Sequence, residues 1–306
     1  MQCSNRQDVE FRATRSASEA LECLQTYGSD ATVLAGGTDV MIQLARAQLN
    51  PKILVHVESL TEHKYIRAGK RLEIGALTSQ RAIAENKTIV GDYGALQLAA
   101  SLCGGWQTQS VGTIGGNVCN ASPAADLIPP LMVHGARLNL HSVARGQRTI
   151  EIDAFVVGRR KIVREPDEML TSLTLDPVEK RTADCFIKVG RRGAMEISIA
   201  NVAVRLKLGQ DETISAIRIA VGAVGPVAFR AREAEDLLLG QEATEELIDE
   251  AGRVILKQAT PITDVRGSRE YRLAVLPRIL GSALRQCVAR ARMQSPANRQ
   301  LAETCL

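Results

Sequence analysis

Aromatic side chains make up only 3% of the 306 residues, and the lone tryptophan, Trp106, has no aromatic neighbour beside it in the sequence. Single-stranded nucleic acid, which is gripped largely by stacking, is therefore not an expected partner. A preponderance of one charge is lacking as well. The 38 basic and 34 acidic residues are well mixed apart from short runs such as Arg159, Arg160, Lys161 and Arg191, Arg192, too even a balance for a duplex-binding footprint. No stretch of about 18 apolar residues occurs, and the opening MQCSNRQDVEFRATRS has no apolar core of a signal peptide, so a cytoplasmic chain without a membrane span is expected. Seven cysteines stand at 3, 23, 103, 119, 185, 287 and 305, with no CxxC pair among them. That pattern predicts reduced thiols rather than disulfides, and no iron–sulfur cluster, which needs close-set thiolates.

Other signatures are missing too. Neither GxGxxG nor GxxxxGK[ST] occurs, which sets aside the Rossmann and P-loop readings. His56, His63, His134 and His141 show no metal-ligand spacing, so no metal is expected, and His134 in its apolar segment reads as a satisfied core histidine. Hydrolysis has no support: GSALR is not GxSxG, and Cys119 has no nominated base. No catalytic residue is nominated.

What the sequence does have is two paired-glycine turns, TVLAGGTDVM from Thr32 to Met41 and SVGTIGGNVCN from Ser110 to Asn120. A glycine pair permits backbone torsions closed to other residues and lets a ligand approach the main chain, whose N–H groups can converge on an anion. Gly36 and Gly37 follow an apolar strand and precede a helical pattern, the place where such a cradle works, and Thr38 adds a hydroxyl. A single turn of this kind is by default a tight strand-to-helix connection. Two of them could close on the two phosphates of a pyrophosphate from opposite sides.

Along the chain, SEALECLQTY predicts a helix capped by Ser18 and stopped by Gly28, ATVLAGG a strand, DVMIQLARAQLNP a helix ending at Pro51, and KILVHV a buried strand. Together these make a βαβ unit. RLEIGALTS reads as a half-exposed strand, YGALQLAASLCG as a helix, ARLNLHSVARGQRTIEIDAF as a hairpin around ARGQ, and EMLTSLTLDP as a further strand. After Lys180 come three strands, in DCFIKVGRRGAMEISIANVAVRLKL and ISAIRIAVGAVGP, and then three helical segments from AREAEDLLLG to SREYRLAVLPRILGSALRQCVARAR. Strands followed by helices describe an α+β segment.

VLAGGTDVMIQL, QTQSVGTIGGNVCNASPAADLIPPLMVHGARLNL, EMLTSL, FIKVGRRGAMEISIANVAV and DVRGSREYRLAVLPRIL occur in an order that resembles the FAD-binding medium subunit of the molybdenum hydroxylases, the family of xanthine dehydrogenase and the carbon monoxide dehydrogenase flavoprotein. The similarity spans nearly the whole chain, and its TIGGN…SPAADL block is highly specific. The resemblance implies an α+β fold: a two-subdomain FAD-binding domain of the vanillyl-alcohol oxidase (PCMH) type over residues 1–176, divided at 57/58. A smaller α+β domain with a three-stranded sheet and helices would cover 177–292, and a flexible tail 293–306. It further implies that Val33, Leu34, Ala35, Gly36, Gly37, Thr38, Asp39 and Val40 surround the FAD pyrophosphate, with Thr113, Ile114, Gly115, Gly116 and Asn117 as the second cradle. Asp126 matches a contact to the flavin's sugar-alcohol chain, Leu170 one beside the ring system, and Lys188 a cation near the ring edge. Cys103 falls at the position of an apolar flavin neighbour. One departure is Gln107, Thr108, Gln109, Ser110, where the family often has QIRN with its arginine.

Local chemistry allows a second role for two of these residues: Asp126 as a helix cap, and Lys188, close to Arg191 and Arg192, as part of a solvated basic edge. The function implied is that of a flavoprotein subunit with an FAD of its own. It would work with a small subunit carrying [2Fe–2S] clusters and a large molybdopterin subunit in a heterotrimer, often doubled, and pass electrons to NAD, oxygen or a quinone. Rival readings are a self-sufficient vanillyl-alcohol-type oxidase, for which Tyr65, Tyr93 and His56 are unconvincing candidate bases, and a flavin-free adaptor that kept the fold.

Overall fold

The computed structural model describes residues 9–193 and 195–294. Of the tail expected from residue 293, Met293 still belongs to the last helix, and residues 295–306 lie outside the described residues, as do Cys3 and Cys305.

The first lobe contains β1 (Glu10–Ala13), α1 (Ala17–Tyr27), β2 (Ala31–Leu34), α2 (Val40–Ala45) and β3 (Ile53–His56). Its strands form a parallel sheet in the order β1-β3-β2, with Ala31 opposite Ile53 and Leu34 opposite His56, so β2, α2 and β3 make the βαβ unit the sequence predicts. The central place goes to β3 because Ile53, Leu54 and Val55 form an unbroken apolar run, suited to a strand covered on both faces. β1 arises in a segment that reads as merely polar and charged; pairing with β3 and the packing of Phe11 on His56 at 5.3 Å make it a strand. Two boundaries move. α1 is capped by Ser16, whose side chain accepts from the Glu19 amide, rather than by Ser18. α2 ends six residues before Pro51, and Ala47 then turns the chain away at φ 52°.

The second lobe runs through β4 (Ile66–Arg67), β5 (Leu72–Gly75), α3 (Gln80–Glu85), α4 (Lys87–Asp92), α5 (Gly94–Ser101), α6 (Trp106–Val111), α7 (Ile114–Asn120) and α8 (Ile128–Val133). It continues with β6 (Arg137–Ser142), β7 (Gly146–Glu151), α9 (Ile152–Phe155), β8 (Val156–Gly158), β9 (Lys161–Ile162) and β10 (Met169–Leu175). Five strands form an antiparallel sheet in the order β4-β5-β10-β6-β7, including the expected hairpin, in which Arg137 faces Glu151 and Ser142 faces Gly146. Leu72 and Ile74, Leu138 and Leu140, Leu173 and Leu175 alternate onto one face and are buried together with Leu96, Ile114 and Leu131 from the helices.

The third lobe has four strands, β11 (Thr182–Val189), β12 (Ala200–Leu208), β13 (Ile214–Gly222) and β14 (Phe229–Arg230), followed by α10 (Arg232–Leu238), α11 (Glu245–Ile255) and α12 (Arg269–Met293). The fourth strand, absent from the sequence reading, pairs only Ala220 with Arg230 and Val221 with Phe229, too short a run to leave an alternating signal. On one face Cys185, Val204, Leu206, Ile217 and Ile219 pack against Leu280, Leu284 and Cys287 of α12 and Ile248 of α11. Burying each such aliphatic side chain stabilises the fold by about 1.5–3 kcal/mol.

The opposite face is turned toward the second lobe, and its side chains form four cross-strand rows: Lys188–Asn201–Gly222, Phe186–Ala203–Ala220, Asp184–Arg205–Arg218 and Thr182–Lys207–Ala216. The apolar row joins the core of the second lobe.

Candidate cofactor site

Where β2 gives way to α2, the chain turns through Gly36 and Gly37, with Gly37 at φ 71°, in the region only glycine enters freely. A Cβ on Gly36 would lie 1.8 Å from the carbonyl oxygen of Val111, so this turn rests directly on the α6–α7 connection, the start of the second glycine motif. Beyond it, the amides of Gly36, Gly37, Thr38, Asp39 and Val40 donate to no acceptor among the described residues. The Met41 amide already turns back to Gly37 O at 3.1 Å. A run of unmatched donors needs a partner from outside the chain.

The second turn is built differently. Thr113 caps α7, its Oγ1 accepting from the Gly116 amide at 3.0 Å. The Ile114 amide donates to Thr78 O at 3.0 Å, that of Gly115 to Ala76 O at 2.8 Å, and that of Asn117 to Thr113 O at 3.0 Å. The sequence reading gives this turn amides for an anion; in the fold those amides are committed to the chain. Its glycines serve close approach: a Cβ on Gly115 would stand 2.7 Å from Ala76 O. What the turn presents outward is the side chain of Asn117, whose Oδ1 is buried without a partner.

Between the two turns lies a cavity of about 360 Å³, lined by Val33, Ala35 to Val40, Thr113, Gly115 to Asn117, and Leu170 of β10. Thus most of the residues singled out in the sequence meet on one cavity, while Leu34 and Ile114 are buried in the flanking cores. Cys103 stands behind Asn117, its Sγ 4.0 Å from Nδ2, and burial pushes its thiol up to about 12. The sequence reading missed Gln80, His63, Asn120, Arg160 and Glu168, which are among the further residues of the lining. Gln80 Oε1 and His63 Nε2 are buried without partners. No local pattern marks these residues, because strand pairing and loop closure bring them in from separate segments.

Asp126 and Lys188 are brought together with each other rather than onto this cavity. Lys188 Nζ donates to Asp126 Oδ2 at 2.7 Å, to Leu102 O at 2.9 Å and to Glu196 O at 2.9 Å. Asp126 Oδ1 accepts from Ser198 Oγ at 2.5 Å and from Asn201 Nδ2 at 3.0 Å. Both side chains are at most 5% exposed, so Lys188 is no solvated edge. Nor is Asp126 a helix cap: α8 is preceded by Leu127 and has no side-chain cap. Burial pushes the Asp126 carboxyl up, opposed first by the Lys188 ammonium and then by the hydrogen bonds. The pair ties the second lobe to the third beside Leu102 and Cys103.

Two family profiles match the chain, "FAD binding domain in molybdopterin dehydrogenase" over residues 7–177 and "CO dehydrogenase flavoprotein C-terminal domain" over residues 185–287. The chain belongs to this flavoprotein family. It is 30% identical to the xanthine dehydrogenase FAD-binding subunit of Escherichia coli O157:H7 over 85% of its own length and 90% of the relative's. To the glyceraldehyde dehydrogenase medium chain of Sulfolobus acidocaldarius it is 32% identical, covering 87% and 94%. Among solved structures it resembles a chain of the carbon monoxide dehydrogenase from Hydrogenophaga pseudoflava lacking the Mo-pyranopterin moiety, with a TM-score of 0.88, 29% identity, and coverage of 92% and 98%. This chain is thus an oxidoreductase subunit of the FAD-binding type found in molybdenum hydroxylases.

The cavity fits the family's cofactor on physical grounds. Five unmatched amides and the Thr38 hydroxyl suit a diphosphate, and unpartnered polar atoms of Asn117, Gln80 and His63 can meet the polar groups of an elongated nucleotide. Among the described residues of this flavoprotein, no group of three or more His, Cys, Asp or Glu could hold a metal ion. No helix among them is long and apolar enough to cross a membrane. The side chains weighed as bases for an oxidase are engaged elsewhere: Tyr65 donates to Glu73 at 2.6 Å, Tyr93 to Asp176 O at 3.1 Å, and His56 faces Glu58 at 3.3 Å.

Proposed function

We propose that this chain holds FAD in the cavity between its two glycine turns and acts as the electron-transfer subunit of a cytoplasmic molybdenum hydroxylase complex. The observation that carries the reading is the row of unbonded amides from Gly36 to Val40 on the cavity wall. Main-chain donors fixed by a strand on one side and a helix on the other need no reorganisation to receive a diphosphate, which makes this turn the anchor. Asn117 and Leu170 flank the same space, one for polar groups and the other for an apolar ring edge. Asp126 and Lys188, paired beside Cys103 and off the cavity wall, brace the second lobe against the third behind the site.

When bound, FAD supplies two-electron redox chemistry, which in such a complex links the [2Fe–2S] clusters of a small subunit, fed by a large molybdopterin subunit, to a terminal acceptor: NAD, oxygen or a quinone. The names of the relatives, FAD-binding subunit and medium chain, support a place in a larger assembly. The chain's own part is to bind, orient and shield the cofactor. The test has two arms. The purified chain is expected to take up FAD stoichiometrically, with inorganic pyrophosphate competing; a correctly folded chain that cannot be reconstituted refutes the cofactor site. The native complex is expected to contain molybdenum and iron, and its absence of both would refute the assembly.

A further inference from the structure

The face of the third-lobe sheet that meets the second lobe also carries a cleft with no part in the flavin site. In its third row Arg205 of β12 lies directly opposite Arg218 of β13. Like charges so placed repel, and the nearby carboxylates Asp176 and Asp184, although they favour the charged form of Arg205, make no hydrogen bond to it. Asp176 accepts from Arg71 at 2.6 Å and from Arg218 at 3.0 Å. Asp184, across from Arg205 on β11, is held by His134 Nε2 at 2.7 Å. Among the described residues Arg205 donates to Pro177 O alone, at 2.7 Å, leaving most of its guanidinium donors unused. Burial, and Arg218 after it, lower the affinity of Arg205 for its own proton, with Asp176 and Asp184 opposing them.

The architecture around these groups is specific. Gly135, at φ 60°, backs onto the Arg218–Asp176 pair, and a Cβ there would stand 2.3 Å from both Nη1 of Arg218 and Oδ2 of Asp176. Over the arginines opens a cavity of about 250 Å³ lined by three cationic side chains, Arg205, Lys207 and Arg218, against two carboxylates, Asp176 and Glu179. Lys207 and Glu179 pair with each other at the rim. In the lining is Thr182, 6% exposed, whose Oγ1 has no partner. A guanidinium with donors to spare and a buried unpaired hydroxyl, on residues that line one open cleft, suit the same guest: an acceptor with several oxygens and negative charge.

We propose that this cleft binds a phosphate-like oxyanion, free or at the end of a small organic phosphate, through Arg205 with Arg218 and the Thr182 hydroxyl. A planar guanidinium meets two phosphate oxygens at once, which makes Arg205 the principal contact. With a liquid water occupying about 30 Å³, the cavity accommodates the anion together with waters. The binding site shares no lining residue with the flavin cavity and stands apart from the flavin reading.

The test is calorimetric titration of orthophosphate into the full chain at constant ionic strength, with and without saturating FAD. Saturable binding is expected under both conditions. Arg205→Met should weaken it at least about tenfold. Thr182→Val should weaken it less, with a melting temperature unchanged or raised, because the hydroxyl removed has no partner to lose. A parallel titration with ribose 5-phosphate identifies the source: tighter binding than orthophosphate points to an organic phosphate, weaker binding to the free ion. The proposal is overturned if no saturable binding occurs, if both variants bind as the parent does, or if FAD abolishes the binding, which would place the anion at the first glycine turn.

Discussion

Gly36→Ala replaces one hydrogen with a methyl at the point where the first glycine turn rests on the second motif. The added carbon would lie 1.8 Å from Val111 O and 2.5 Å from the carbonyl carbon, whereas such contacts do not fall below 3.0 Å. The two segments must therefore part by about 1.2 Å, the difference between those limits. Both neighbours are backbone, so no side chain can rotate aside. Parting them strains the adjacent hydrogen bond from the Gln80 amide to Gly112 O, now 2.9 Å. Losing that bond costs about 0.5–1.5 kcal/mol, and forced overpacking about 1–3 kcal/mol. A combined loss of about 1.5–4.5 kcal/mol is expected.

Gly37→Ala is the internal control. Its cost is conformational, about 1–2 kcal/mol for a left-handed alanine, because the nearest atom, Met41 Cγ at 3.2 Å, belongs to a flexible side chain. Urea denaturation of both variants, with FAD titration followed by flavin fluorescence, separates the two effects. Gly36→Ala should lower the midpoint more and weaken FAD at least about tenfold, since it opens the cavity wall. Equal midpoints and equal affinities for the two variants would show that the contact between the turns does not shape the site.

Asp126→Ala leaves the Lys188 ammonium buried without its carboxylate, which should cost about 3–5 kcal/mol in urea denaturation. The double variant with Lys188→Met should recover part of that loss; additive losses would argue against a coupled pair. His134 gives a pH dependence. Burial holds its imidazole below the ordinary value of 6.5, against the pull of Asp184, so the unfolded chain takes up the proton first. Stability is then complete above about pH 6.5 and falls as the pH drops from there toward the folded value. His63, lowered by burial too, adds a contribution of the same sign. Thermal midpoints measured from about pH 7.5 down to 5.5 should decline, and less steeply in His134→Gln; a midpoint that rises over that interval contradicts the assignment.

The sequence reveals those features whose causes are local. Alternation in Leu138, Leu140, Leu173 and Leu175 and the β-branched run of β3 announce their strands, and the glycine pairs mark the two turns on the main cavity. β1 and β14 escape notice because pairing alone, not composition, makes them strands. The difference between the two turns is likewise hidden. Both read as apolar–GG–helix, yet the carbonyls of Ala76 and Thr78, thirty-odd residues away, occupy the amides of one and leave the other free. Asp126 and Lys188 are separated by 62 positions, and their union follows from the docking of one lobe on another. Spacing along the chain cannot express it.

The sheet face between the lobes makes the polypeptide indivisible in a way its two family matches do not suggest. A cut near residue 180 would leave Asp126 and His134 in one fragment, and Lys188, Ser198, Asn201 and Asp184 in the other. Each fragment would expose ionised groups meant for the dry interior together with apolar surface from Phe186 or Leu96. Neither half is then a free-standing module; each lobe supplies the counter-charges and the apolar cover that the other needs.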